Sequence, residues 1–447
     1  MKKVLLLGGT HFQINSIKAC KRLGHYAITC DYNPNNPGHK IADEYHEVSA
    51  LDKEAVLELA KKLKIDGIVC YAADTAAVTA AYVAEKMGLP GQPLKSVEIL
   101  TNKDLFRKFL IDNGFNCPKA KGYTSTNINE AINDWEIFKK PIMVKPVDSA
   151  GSKGVSKVEN IENLEEKIKY ALSFSRNNRF IIEEYVEKNG YQIAGDGFSV
   201  NGRLVFRCFA NEHFNPNSIV PIGESFPYKP ISKYTCNKVD KETQKLFDLL
   251  NMKTGAYNFD VRINENDEVI LMELGPRNGG NLIAEVIKYA TGIDTAEYTI
   301  KASLGENCND LKMKEVEGYW SCFMIHSKNN GILKEVKISD ELRENNVIEY
   351  DILSKINDKI LSFDNSGGTI GTMILKFASM DEMLEKMDNM DKYIIVRTEQ
   401  NRTEQNRTEQ NRTEQNRTEQ NRTEQNRTVL IYRIYNNLLS YKSQAVA

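Results

Sequence analysis

Short apolar runs alternate with amphipathic helical segments over the first hundred residues. Residues 4–7 and 26–30 are two such runs, and the apolar spacing over residues 53–63 predicts a helix. Continuous apolar strands that alternate with helices indicate a parallel sheet covered on both faces. The sequence therefore predicts a Rossmann-like α/β domain over residues 1–100.

From about residue 115 the pattern changes to α+β. Four strands are predicted there, two of them as the arms of a hairpin around a polar turn: residues 141–146, 180–185, 257–263 and 268–274, with the turn at 264–267. Further short strands and a helix after residue 312 predict a small third unit. We therefore expect a second domain over residues 101–311 and a C-terminal α+β domain over residues 312–396.

The C-terminal end of the chain is a low-complexity repeat. From Arg397 the pentad Arg-Thr-Glu-Gln-Asn occurs six times, up to Asn426, and begins again at Arg427. The pentad has no apolar residue to bury, so we expect residues 397–447 to form a disordered tail. The codons AGA, ACA, GAA, CAG and AAC encode it and together spell AGAAC three times. A slippage-prone five-nucleotide DNA repeat is therefore one explanation of the tail, and an in-frame repeat is the other.

Composition and charge exclude some classes of partner. Hydrophobic residues make up 41% and charged residues 27% of the 447 residues, and the formal net charge is −2. This charge gives no bulk attraction to nucleic acid or an anionic membrane, and no apolar run approaches the roughly 20 residues that span a bilayer. The eight cysteines are scattered without a C-x-x-C pair, as is typical of a reducing compartment. We expect a cytoplasmic protein that binds neither nucleic acid nor membrane.

Two acidic residues on the predicted hairpin are candidate metal ligands. Asp260 and Glu273 lie on opposite arms, so strand pairing can bring both carboxylates to one face to share a hard divalent cation. Two acids on a hairpin are more often surface residues, but the sequence that follows favours a site. Gly279 and Gly280 allow close backbone approach, and Arg277 offers a rigid fork for phosphate or carboxylate.

A lysine before a loop of small residues is a second candidate element. Lys145 ends a predicted strand and precedes Val-Asp-Ser-Ala-Gly-Ser-Lys-Gly at residues 147–154. Small residues leave backbone N–H groups free to surround phosphate oxygens, and the lysine adds a point charge. The loop lacks the G-x-x-x-x-G-K-[ST] pattern of a P-loop, and alone it is more often a plain strand connection.

The third element is the segment Glu-Glu-Tyr-Val-Glu at residues 183–187, directly after an apolar run. Its acids suit an exposed strand end. In a nucleotide site such a segment offers backbone groups to the adenine edge and a carboxylate to the ribose.

The order of these elements resembles the ATP-grasp superfamily, most closely its carboxylate–amine ligase and biotin-carboxylase-like branch. Lys103 on a predicted helix, the lysine and its small-residue loop, Glu-Glu-Tyr-Val, and then D-x-R…E-x-x-P-R-x-G-G carry the resemblance over about residues 1–395. It implies an N-terminal Rossmann-like sheet, a two-subdomain ATP-grasp core and a small C-terminal α+β unit. It also implies a set of ATP-binding residues: Lys103, Lys145, Ser149, Gly151, Ser152, Gly154, Glu183, Glu184, Val186, Glu187 and Gln192.

The resemblance also implies metal and catalytic roles. Asp260 and Glu273 are expected to hold Mg²⁺, with Mn²⁺ as an alternative, and Arg277 to face the reacting phosphoryl group. The implied activity is an ATP-dependent ligase that activates a small carboxylate as an acyl phosphate and couples it to an amine. A homodimer is compatible with this expectation.

Two positions depart from the superfamily pattern. Many members have Asn where this chain has Gly275, and Glu roughly where it has Gln192. The missing Asn leaves one metal position to water, Asn278 or Asn281. Two alternatives stay open. One is a carboxylase-type enzyme of the same superfamily that acts on bicarbonate, and the other is a non-catalytic nucleotide-binding protein, for which Gly275 is the best support.

Overall fold

The computed structural model describes residues 1–216 and 218–399. The N-terminal part consists of β1 (Lys3–Leu7), α1 (Ile14–Arg22), β2 (Tyr26–Cys30), β3 (Glu44–His46), α2 (Lys53–Leu63), β4 (Gly67–Cys70), α3 (Asp74–Met87) and α4 (Leu94–Thr101). Its four strands pair in parallel in the order β3-β2-β1-β4. The predicted Rossmann-like parallel sheet is confirmed.

Helix α2 shows how local sequence sets these elements. The side chain of Asp52 accepts from the backbone N–H of Ala55 at 3.0 Å and caps the first turn. The helix ends at Lys64, which adopts a left-handed conformation. Its apolar face, including Val56 and Leu59, is buried against the sheet, so periodicity and cap agree.

A small antiparallel sheet follows. Its region consists of α5 (Lys103–Asp112), β5 (Ala120–Thr124), α6 (Ile128–Asn133), β6 (Ile142–Pro146), β7 (Ser156–Val158), α7 (Leu164–Ser173) and β8 (Arg179–Glu184). The strand order is β5-β8-β6-β7. The predicted small-residue loop therefore connects the two neighbouring strands β6 and β7, above a core that contains Ile142, Val144 and Phe180.

A large antiparallel sheet forms the centre of the molecule. The remaining elements are β9 (Gln192–Val200), β10 (Arg203–Phe214), β11 (Pro221–Phe226), α8 (Thr235–Leu250), β12 (Gly255–Ile263), β13 (Val269–Gly275), α9 (Ile283–Thr291), α10 (Thr295–Ser303), β14 (Tyr319–His326), β15 (Gly331–Ile338), α11 (Asp340–Asn345), β16 (Val347–Ile352), β17 (Lys359–Ile360), β18 (Thr369–Phe377), α12 (Met380–Asp388) and β19 (Ile394–Glu399). Eight strands pair in the order β13-β12-β9-β10-β11-β14-β18-β16, and β17-β15-β19 form a separate sheet.

The large sheet crosses the boundary predicted near residue 312. Strands β14, β16 and β18 come from the predicted C-terminal unit, yet β14 pairs with β11 and the hydrophobic core is shared. The division into residues 101–311 and 312–396 stays a prediction. The predicted α+β character of both regions is confirmed.

The tail prediction needs one correction. Arg397, Thr398 and Glu399 belong to β19 and pair with β15, so disorder from residue 397 is wrong for these three residues. The strand begins with apolar residues at 394–396, and its pairing with β15 continues through the three polar residues that follow. The rest of the repeat lies outside the described residues. None of the helices in the described ranges is long and apolar enough to cross a membrane.

Candidate active site

The carboxylates of Asp260 and Glu273 lie on one face of the β12–β13 hairpin, as predicted. The two residues are direct partners in the strand register, and a β-bulge follows Asp260. Burial, and then the negative charge of Glu273, raise the pKa of Asp260 to about 8. The Nζ of Lys103, at the start of α5, donates to the Oε2 of Glu273 at 3.0 Å. Without a cation the pair therefore retains a proton near neutral pH, and Lys103 lies beside it.

This acidic pair offers few further protein ligands to a cation. No group of three or more His, Cys, Asp or Glu side chains within residues 1–216 and 218–399 is arranged to hold a metal ion. Asn278 is fully buried and accepts from the Oγ1 of Thr299 at 2.7 Å, so it does not replace the missing asparagine. Asn281 instead lines the same cavity as Asp260 and Glu273.

The loop between β6 and β7 lies over the cavities beside the acidic pair. Residues 149–152 line two cavities: a larger one that Arg277 also lines, and a smaller one that Lys145 also lines. Gly151 and Ser152 adopt left-handed conformations, with φ of 66° and 59°. The backbone N–H of Ser366 donates to the carbonyl of Gly151 at 3.1 Å. Gly154 packs against Phe174 at the base of the loop. The loop is therefore held down by a turn from the C-terminal region.

Lys145 belongs to a buried cluster of charges. The Glu183 carboxylate is 1% exposed, contacts the Nζ of Lys145, and accepts from the Nε of Arg107 at 2.7 Å. Burial favours the neutral acid, but Arg107 and Lys145 outweigh it and hold the pKa of Glu183 well below its usual range. The Lys145 side chain lines the smaller cavity, so Glu183 fixes its position there.

Of the remaining residues predicted to bind the nucleoside, some line the smaller cavity and one does not. Glu184, Val186 and Gln192 line the smaller cavity, whereas Glu187 is exposed and lies outside it. Arg262 ties this wall together: its Nε donates to the Oε1 of Gln192 at 2.6 Å and its Nη1 to the carbonyl of Val186. The predicted contacts of these residues with adenine and ribose remain predictions.

Arg277 reaches the larger cavity and is held by the N-terminal domain. Its Nε donates to the Oδ1 of Asp74 at 2.7 Å, and its Nη2 also contacts that carboxylate. A Cβ atom on Gly275 would lie 2.6 Å from the Oδ1 of Asp74. The absence of a side chain at position 275 therefore makes room for the Asp74–Arg277 pair.

Asp196, on β9, was missed in the sequence and fixes the turn after β13. Its Oδ1 and Oδ2 accept from the backbone N–H of Gly279 at 2.8 and 2.9 Å, and Oδ1 also accepts from the Nδ2 of Asn258 at 3.0 Å. Burial raises the pKa of Asp196 to about 6. The Gly-Gly sequence signalled a close approach here, but nothing local to Asp196 identified it as the acceptor.

A second acidic pair was also missed. Glu212 on β10 and Glu224 on β11 are direct register partners, and both line the larger cavity, whose volume is about 520 Å³. Burial, and then Asp260, raise the pKa of Glu212 well above its ordinary value, and burial raises that of Glu224 to about 7. Both strands were unpredicted, which explains why the pair was not found.

The part of the chain that contains most of this site matches a known protein family. Residues 138–285 match the family described as "ATP-grasp domain". The carbamoyl phosphate synthase large chain of Caldanaerobacter subterraneus subsp. tengcongensis is 26% identical over 337 residues, which is 71% of this chain. Since that alignment covers 30% of the relative, this chain spans about a third of its length.

Solved structures share the fold over 89% of this chain. The phosphoribosylglycinamide synthetase from Anaerococcus prevotii has a TM-score of 0.67 at 24% identity, with 100% of that chain covered. The L-amino acid ligase from Bacillus licheniformis has a TM-score of 0.73 at 18% identity, with 99% covered. The fold of this chain is therefore that of these two solved structures.

Proposed function

We propose, since this chain carries an ATP-grasp domain, that it is an ATP-dependent ligase that activates a small carboxylate as an acyl phosphate and couples it to an amine. One observation carries the proposal. Asp260, Glu273 and Arg277 line a single cavity together with the loop at residues 149–152, so groups suited to a cation, an anion and phosphates meet in one place.

The chemistry needs positioning and charge neutralisation. A carboxylate is a poor electrophile because its charge is delocalised and its leaving group would be oxide. Transfer of a phosphoryl group to it gives an acyl phosphate, which an amine attacks with loss of phosphate. Hydrogen-bond donors and cations that the fold fixes in position lower the barrier, because they face the developing negative charge and need not reorient during the reaction.

The donor set at the hairpin fits Mg²⁺. Two opposed carboxylates, one with a pKa raised to about 8, form a site that a hard divalent cation would stabilise. Asp260 and Glu273 would hold the ion, with water and phosphate oxygens in the other positions. Bound there, Mg²⁺ supplies charge neutralisation to the phosphates.

The remaining residues of the site are assigned by their positions. Lys103, Lys145 and the loop with Ser149, Gly151 and Ser152 would contact the phosphates of ATP, because all of them line the smaller cavity. The nucleoside would lie along the wall formed by Glu184, Val186 and Gln192.

Arg277 would act at the reacting centre. It lines the larger cavity with Asp260 and Glu273, and Asp74 holds its guanidinium there, so its positive charge would face a substrate carboxylate or acyl phosphate. Glu183 lines the smaller cavity and would act by holding Lys145 in place, whereas Gly154 and Glu187 line neither cavity and are given no role.

The test is release of ADP by the full chain with Mg²⁺, ATP and a panel of carboxylates and amines. We expect release that requires one carboxylate, and we expect Glu273→Gln to lower kcat by at least about 100-fold, because one of two metal ligands is lost. Glu58→Gln, an exposed residue of α2, is the control.

The same assay separates the alternatives. Release that requires bicarbonate alone would identify a carboxylase-type enzyme. Binding of ATP without carboxylate-dependent release across the panel would refute the ligase proposal and favour a nucleotide-binding protein.

A further inference from the structure

The second acidic pair forms no ion pair within the described residues, although Arg262 and Lys188 lie close enough to Glu212 to act on its charge. Glu212 and Glu224 are 4% and 3% exposed, and no described lysine, arginine or histidine forms an ion pair with either. Like charges placed directly opposite each other on neighbouring strands are destabilising, and a buried charge is costly unless it is paired. A cation that enters the cavity would therefore be stabilised at this pair.

Hydrogen bonds hold Glu224 in position at the cavity wall. The thiol of Cys322, its register partner on β14, donates to Oε2 at 2.9 Å. The side chain of Asn281 lies close to the carboxyl group and lines the same cavity. Neither contact supplies positive charge. Glu212 is held in a similar way, because the Nε2 of Gln192 donates to its Oε2.

The geometry favours an organic cation over a second metal ion. The Oε2 of Glu224 already accepts from Cys322 and that of Glu212 from Gln192, which leaves few oxygen ligands for a metal ion. A hard cation prefers six or more oxygen ligands. An ammonium group needs only three acceptors and suits one carboxylate with neighbouring carbonyl or amide oxygens.

Part of the wall of the cavity that Glu224 lines is apolar. Val220, Ile283 and Phe363 line the same cavity and are buried. A ligand that places a cationic group at Glu224 therefore has hydrocarbon surface within the same cavity, which favours an apolar substituent.

We propose that the nucleophilic substrate enters as a protonated primary amine with an apolar substituent, whose ammonium group contacts Glu224 and whose substituent packs against Val220, Ile283 and Phe363. The ammonium group gives one proton to the Glu224 carboxylate, and the neutral amine then attacks the acyl phosphate with loss of phosphate. The inference rests on the proposed ligase function. It assigns Glu224 as the residue that selects a cationic nucleophile.

Hydroxylamine separates this inference from the proposed function. It is small and mostly uncharged near neutral pH, and it converts an acyl phosphate to a hydroxamate without needing a cation site. The experiment compares it with a series of alkylamines, ethylamine to hexylamine, using whichever carboxylate supports ADP release. For Glu224→Gln we expect the KM of the alkylamines to rise roughly 10- to 100-fold, as for loss of a hydrogen bond to a charged group. Hydroxamate formation and the KM for ATP should stay within about threefold.

The matched control is Glu285→Gln. Glu285 lies on α9, and burial raises its pKa to about 7 as well, but it does not line the cavity. It should leave the KM of the alkylamines unchanged. Circular dichroism and the melting temperature establish that both variants fold.

Three results would overturn the inference for a folded Glu224→Gln variant: an unchanged KM for the alkylamines, an equal loss of turnover with hydroxylamine and alkylamines, or a change in Mg²⁺ dependence alone. If no carboxylate supports turnover, the proposed function fails, and calorimetric titration with butylamine decides the inference. Binding to the native chain that Glu224→Gln removes supports it, whereas no binding, or equal binding to both, overturns it.

Discussion

Asp74→Asn should destabilise the protein strongly, because it removes the counter-charge of Arg277. The two side chains are 14% and 11% exposed, and the guanidinium contacts both carboxylate oxygens. Removing one partner of a buried ion pair costs about 3–5 kcal/mol, and Asn keeps the shape and one acceptor oxygen. We therefore expect the free energy of unfolding at pH 7 to fall by about 3 kcal/mol, and kcat to fall because Arg277 loses its orientation.

The loss should depend on pH. Burial acts to raise the pKa of Asp74, but Arg277 outweighs it and lowers that pKa below its ordinary value. A carboxyl whose folded pKa is lowered stabilises the protein above its unfolded pKa of about 3.9 and loses this contribution as the pH falls through the folded value. The difference between the native chain and Asp74→Asn should thus be constant from about pH 5 to 8 and shrink below about pH 4.

Urea unfolding followed by tryptophan fluorescence measures the loss, and a double-mutant cycle with Arg277→Gln isolates the pair. The second substitution should recover part of the stability, because no buried charge is then left alone. Lys108→Gln, in an exposed ion pair on α5, is the control and should have little effect. A loss below about 0.5 kcal/mol for Asp74→Asn, or additive losses in the cycle, would refute the reasoning.

Two further substitutions test the loop and the buried charges. Gly151→Ala places a Cβ 2.2 Å from the Oγ of Ser366 at a φ of 66°, so we expect the KM for ATP to rise. Gly88 has the same φ of 66°, but a Cβ there would have nothing within 4 Å. Gly88→Ala is therefore the control and should show only backbone strain of about 1–2 kcal/mol in the melting curve. Equal effects of both on KM would contradict a role for the loop contact. Glu183→Gln leaves Arg107 and Lys145 without a counter-charge and should lower the free energy of unfolding by about 3–5 kcal/mol. Chemical denaturation checks this, and a loss no larger than that of the half-buried Glu184→Gln would disprove it.

Local sequence predicted the parts of the site that lie on one hairpin or one loop. Asp260 and Glu273 are joined by a short polar turn, so alternation along two strands was enough to place both carboxylates on one face. The small-residue loop was equally local, because its composition alone gives it free backbone N–H groups. Helix α2 was predicted from periodicity to its observed ends.

The parts that depend on topology were not predictable. Asp74 and Arg277 are 203 residues apart, and only the packing of the N-terminal domain on the central sheet brings them together. Glu212 and Glu224 lie on strands whose mixed polar and apolar residues are buried on both faces, so they lack the alternation that indicates a strand. The predicted C-terminal unit looked separate because its strands are local, but strand pairing is decided by neighbours far along the chain.

The position of strand β19 determines how variation in the number of repeat units affects the protein. Its last three residues are the Arg-Thr-Glu that opens the first pentad, and they pair with β15. If the repeat is encoded by AGAAC units, adding or deleting one unit leaves the residues directly after Val396 unchanged, because every unit restores the same nucleotides at that point. Only the sequence after the array changes. Variation in repeat number therefore leaves the sheet that holds β15 unchanged, and alleles whose repeat numbers differ by anything other than a multiple of three should encode the same β19 followed by different ends.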